Sequence, residues 1–150
     1  MTETGSVATA DLLQAVYKNL KMASDSILNV MPKIRDEALR HEMTIQLSCF
    51  DAFSSRAAKL LAQEGVTPEE GSFLSKTVAK WGSMMHTMAD ASPAHIAEMM
   101  VEGATMGMTD MLRQLREAEN RTASEDALQL ARDACAYEEK IVEDMKKYLR

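Results

Sequence analysis

Apolar residues return every three or four positions through most of this 150-residue chain. A helix gathers such residues on one face, whereas a strand scatters them over both, so the spacing selects α-helices. The last stretch shows it most plainly. Between Glu125 and Leu149, the residues Ala127, Ala131, Ala134, Cys135, Ile141, Val142, Met145 and Leu149 fall on one side. Little in the chain could interrupt such helices, because it holds only 6 Gly and 3 Pro.

The same periodicity divides the chain into five helical segments. The first runs from about Thr9, a plausible N-cap, to Met31, with Leu13, Val16, Tyr17, Leu20, Ala23, Ser24, Ile27 and Met31 on its core face. Pro32 breaks it, and Asp36 caps the second, whose stripe holds Leu39, Met43, Leu47, Phe50, Phe53, Ala57, Leu60 and Leu61 up to about Glu64. Gly65 ends that helix. A capping box from Thr67 to Glu70 opens a shorter segment that buries Phe73, Leu74, Val78, Trp81, Met84, Met85 and Met88. Ser92-Pro93 restarts the chain into a helix reaching about Glu119, with Ile96, Met99, Met100, Gly103, Ala104, Gly107, Met111 and Leu115 inward. A second capping box, Thr122 to Glu125, opens the last helix.

The expected fold is therefore all-α: an up-and-down four-helix bundle with a short additional helix before the Ser92-Pro93 break. Short connections favour antiparallel neighbours. Residues 1–8 are expected as a flexible N-terminus and 9–150 as one domain, a length sufficient for a sizeable core.

Composition removes several functions. The net charge is -6 and no stretch gathers Lys and Arg into a phosphate-binding face, so nucleic acid is not an expected partner. The N-terminus has neither a basic nor an apolar signal region, and no apolar run is long enough to span a membrane. Cys49 and Cys135 sit in helical patterns and read as small buried hydrophobes, with a disulfide or a reactive thiol as the alternative. A cytoplasmic protein is expected. His41, His86 and His95 take outward or terminal positions with no partner at motif spacing.

The chemistry-bearing candidate is Glu138, in the middle of the last apolar stripe. A carboxylate there is costly unless paired, protonated or bound to a metal. Three readings stay open. Glu138 is hydrogen-bonded across the bundle to Gln46, Tyr17 or Ser24, or it is a remnant ligand or an acid in a small pocket, or the phase is off by one and Glu139 is simply exposed beside it. Di-metal carboxylate bundles require a Glu from each of two helices and Glu-x-x-His from each of the other two. Glu42 and Glu138 stand where the two motifs would begin, but Ile45 and Ile141 occupy the histidine places. The first helix offers no inward carboxylate, and Ala104 occupies the inward position after Pro93. No metal and no cofactor are expected, with Glu42 and Glu138 as the remnant candidates.

Thirteen methionines are present, eight of them between Met84 and Met111. Flexible thioethers fill irregular cores, though Met106 and Met108 lie off the stripe and suit an interface or an adaptable binding surface. Gly103 and Gly107, one turn apart, read as a close helix approach.

The order and lengths of these helices resemble those of the ferritin-like four-helix-bundle proteins. The closest likeness is to a small bacterial branch known as a domain of unknown function. The resemblance spans about Leu12 to Leu149. It rests on Trp81 in the short middle helix, on Ser92-Pro93, and on Glu98 with Gly103 ahead of a long helical stretch. That branch commonly has Glu after this Gly, where the present chain has Ala104. The resemblance implies a non-catalytic ferritin-like protein that has lost its metal site and acts through self-association, as a homodimer, or through protein contacts. Two alternatives stand beside it: an atypical metal or redox protein with a site around Glu42 and Glu138, and a carrier of a small apolar ligand in the Met-rich core.

Overall fold

The structure, a computed structural model, describes residues 3–69, 83–84 and 88–149. Four long helices pack against one another: α1 (Glu3–Val30), α2 (Glu37–Gln63), α3 (Pro93–Asn120) and α4 (Glu125–Met145). Single 3-10 turns, Met31–Lys33 and Lys146–Tyr148, follow α1 and α4. No strand occurs among the described residues. None of the described helices is long and apolar enough to cross a membrane. The short helix expected before the Ser92-Pro93 break, with Phe73, Leu74, Val78, Trp81 and His86, falls almost wholly outside the described residues; Met84, expected on its buried face, is exposed.

The stripes form the core. Leu13, Leu20 and Ile27 from α1, Leu39, Met43 and Leu61 from α2, Ile96 and Met111 from α3, and Leu130 and Ile141 from α4 are all fully buried. Each such side chain contributes about 2 kcal/mol of apolar burial. Capping explains where the helices start. The Asp36 side chain accepts from the Leu39 amide at 2.9 Å, and Ser92 accepts from that of His95 at 3.3 Å. Gly65 ends α2 at φ +71, with its amide bonded to Ala62 and that of Val66 to Leu61. This paired closure satisfies carbonyls the helix leaves open.

Four local expectations are corrected. The first helix starts at Glu3 rather than Thr9, and Ala8 is buried, so residues 3–8 belong to the bundle. Thr9 is not a cap: its hydroxyl donates to Gly5 O and accepts from the Ser124 amide, both at 2.8 Å. The cap of α4 is Ser124, which accepts from the Ala127 amide at 3.3 Å, while Thr122 takes a left-handed conformation at the end of α3. The spacing puts Ile34, between the first two apolar stripes, on an outward position, but it is buried.

The helix directions also differ from a plain up-and-down order. Arg121, just past α3, pairs with Asp11 near the start of α1 at 3.2 Å, so α3 runs opposite to α1. Lys147, just past α4, pairs with Glu42 near the start of α2, so α4 runs opposite to α2. The N-terminal Ser6 hydroxyl donates to Glu64 at the end of α2, so α1 and α2 are antiparallel too. Hence α2 and α3 point the same way. The chain leaves α2 beside Gln14, whose amide donates to Thr67 O, and approaches α3 beside Lys33, which donates to Met88 O. Thr67 and Met88 therefore lie toward opposite ends of the bundle. The order is up, down, down, up with one long crossover.

Candidate functional site

At mid-height the four helices surround a cavity of about 50 Å³. Helix α1 lines it with Asn19, Met22, Ala23 and Ser26, α2 with Phe50, α3 with residues from Met99 to Gly107, and α4 with Glu138 and Ile141. Most of this wall is apolar, and three methionines, Met99, Met100 and Met106, lie on the α3 side. Met106 is exposed and stands at the mouth, whereas Met99 and Met100 are buried.

Glu138 reaches this wall because it occupies the core face of α4, one turn before Ile141. It is 2% exposed, and Glu139 beside it is exposed, so the helical phase places Glu138 inward. Its carboxyl lies over Gly107: a Cβ on that glycine would stand 2.6 Å from Glu138 Oε2. The missing side chain at Gly107 thus makes room for the carboxyl as well as for close helix packing. Asn19 approaches the same point from α1. Its Nδ2 donates to the Gly107 carbonyl at 3.0 Å, and its Oδ1 would lie 3.2 Å from that Cβ.

Neither oxygen of Glu138 has a hydrogen-bond partner among the described residues. The cross-bundle bonds to Gln46, Tyr17 or Ser24 are not formed. Ser24 donates to Asp51 at 3.2 Å instead, and the side-chain oxygen of Gln46 is buried without a partner among the described residues. Gln46 and Tyr17 are buried in the core, but neither lines the cavity. An unsolvated carboxylate is unfavourable, so burial pushes the Glu138 carboxyl up to about 8, and the negative charge of Asp110 adds to the effect. At neutral pH, Glu138 is mostly a neutral acid.

Glu42 belongs to a different place. It is half-buried, does not line the cavity, and takes the Lys147 ammonium on Oε1. No group of three His, Cys, Asp or Glu side chains comes together in metal-holding geometry among the described residues. Cys49 and Cys135 are free thiols, and burial pushes the Cys135 thiol up to about 11, away from the reactive thiolate form.

Two site residues carry signals that spacing alone could reveal. Asn19 follows Val16 by three positions and precedes Ala23 by four, which puts an amide on the core face of α1. Gly107 sits on the α3 stripe. Their meeting with Glu138 depends on the relative heights of three helices, which periodicity does not set. Comparison of the chain with protein-family models, curated proteins and solved structures finds no match in any of the three.

Proposed function

We propose that this chain is a non-catalytic, ferritin-like bundle protein that binds a small molecule in the Met-lined cavity at Glu138. The observation that carries this reading is the Glu138 carboxyl itself. It is buried, both oxygens lack a partner among the described residues, and it stands on the wall of an otherwise apolar cavity. Buried polar groups are nearly always satisfied, so such a group calls for a partner from outside the chain, an ordered water or a bound molecule. An apolar pocket with a few converging polar groups is the usual form of a small-molecule site. Methionine walls adapt their shape readily, which suits a cavity that opens to accept a guest. The single long crossover supports the ferritin-like part of the reading, since ferritin-like folds have one.

The test uses the methionines as reporters. The full-length protein, with ¹³C-labelled methionine methyls, is titrated with a panel of small neutral, basic and acidic compounds. Shifts confined to Met22, Met99, Met100 and Met106, with Met43 and Met145 unmoved, are expected for at least one compound. A panel that moves none of the four at millimolar concentration overturns the reading. Self-association belongs to the same proposal. Ile45 and Leu112 are each 48% exposed on α2 and α3, and apolar side chains so placed suit a contact between two copies.

A further inference from the structure

The polar part of the cavity wall offers acceptors. Asn19 uses its amide group on the Gly107 carbonyl at 3.0 Å, so it turns Oδ1 toward the point where Glu138 Oε2 also lies. Ser26 donates its hydroxyl proton to Met22 O at 2.9 Å, which leaves only lone pairs. Glu138 contributes two carboxyl oxygens without a partner among the described residues. No Lys, Arg or His lines the cavity among the described residues. A negative guest would meet no cation, and the donors offered by the described wall are limited to the second Asn19 amide hydrogen and the Glu138 carboxyl while it keeps its proton. A guest with several donors and a positive charge would meet its complement.

We propose that the ligand is a linear primary amine, bound as its ammonium ion with the nitrogen at Glu138 and Asn19 and the carbon chain along the methionines. This rests on the small-molecule reading above and names its ligand class. An ammonium group carries three donors and no acceptor, which matches the carboxyl oxygens of Glu138 and the amide oxygen of Asn19. Phe50 adds an apolar ring to the same wall, beside which the carbon chain can pack. Size sets the shape. A cavity of about 150 Å³ takes benzene, so one of about 50 Å³ takes the ammonium and about one or two carbons. The rest of the chain lies toward the mouth, past Met106. Branching at the carbon that bears nitrogen does not fit.

Binding also moves a proton. The ammonium favours the ionised carboxyl, so Glu138 gives up its proton to solvent as the ligand enters below pH 8. No other titratable group lines the cavity among the described residues, from α1, α2 or α3. Asp110, one turn beyond Gly107 in α3, adds negative charge nearby and has Arg113 at 3.6 Å.

The experiment compares n-butylamine, tert-butylamine, 1-butanol and butyrate by calorimetry and by the methionine methyl shifts, on the full-length protein near pH 7. The expected result is butylamine bound about tenfold or more tightly than butanol, weaker binding of the tert-butyl isomer, and none of butyrate. Glu138→Gln is expected to bring butylamine and butanol to equal affinity. Should that variant fail to fold, the native protein supplies the second measurement. Calorimetry in two buffers of different ionisation heat is expected to show proton release with butylamine and none with butanol. Butanol or butyrate bound as tightly as butylamine, a preference unchanged in Glu138→Gln, or butylamine binding without proton release would each overturn the proposal. Neutral compounds that move the methyls while butylamine does not would sink the amine and leave the cavity reading intact. Silence from every compound would remove both.

Discussion

Glu138 shows in the sequence because a carboxylate inside an apolar stripe breaks the pattern at 100° per residue. Its neighbours do not show in the same way. Ser24 and Gln46 share the core faces from which a partner would come, yet Ser24 turns to Asp51 and Gln46 stays apart from the cavity. Which side chains meet across a bundle depends on helix heights to within a residue, and periodicity fixes only the face. The unpartnered acid has a measurable consequence. Its carboxyl is raised from an ordinary 4.5 to about 8 in the folded chain. Between those values the folded state holds a proton that the unfolded chain has lost. Stability is therefore full below about pH 4.5 and falls as pH rises through about 8, by up to about 1.4 kcal/mol per pH unit, then levels off. Glu138→Gln removes this slope. Urea unfolding of both proteins from pH 5 to 9 is expected to show the variant gaining on the parent as pH rises. Parallel curves would mean that the folded carboxyl has a partner.

The helices themselves read clearly, and so do the caps at Asp36 and Ser92, because each precedes an apolar periodic run. The link between α3 and α4 does not. It is so short that the residue ending one helix lies two positions from the residue capping the next, and both carry a hydroxyl. Thr122 ends α3 with φ +57, its amide bonded to Glu119 O and that of Ala123 to Ala118 O. This is the closure that Gly65 makes at the end of α2, performed here by a β-branched residue. A side chain costs about 1 kcal/mol or more in that conformation, and glycine costs almost nothing. Thr122→Gly gives up one hydroxyl bond, to the neighbouring Arg121 O at 2.7 Å. It is expected to stabilise the protein by about 0.5 to 1 kcal/mol, a rise of about 2 °C in the thermal midpoint. A midpoint that falls would show that the hydroxyl matters more than the backbone strain. Thr9 illustrates the converse error. A hydroxyl before an apolar run suggests a cap, but buried Ala8 extends the packing upstream and Thr9 ties α1 to the start of α4.

At the scale of the whole molecule, the class of fold was legible and the helix directions were not. Counting segments gives four long helices, whereas the choice between alternating and crossover orders depends on where the chain between Glu64 and Ser92 delivers α3. The crossover order matters for the question of iron. A di-iron centre at mid-height requires carboxylates from all four helices and imidazoles from two. The four helices do converge at such a level here, and what they supply can be named. Helix α1 brings Asn19, α2 brings Phe50, α3 brings Ala104 and Gly107, and α4 brings Glu138 with Ile141 one turn on. That set holds one carboxylate, one amide and no imidazole. Glu42, the other remnant candidate, lies off the cavity wall and is engaged by Lys147. A hard cation bound by one carboxylate and one amide would exchange quickly with solvent. The protein is therefore expected to retain no stoichiometric iron. Incubation with Fe(II) without oxygen, followed by desalting and metal analysis, reads this directly. Two irons per chain, oxidised rapidly when air is admitted, would mean that ligands reach this level from residues other than those now lining it.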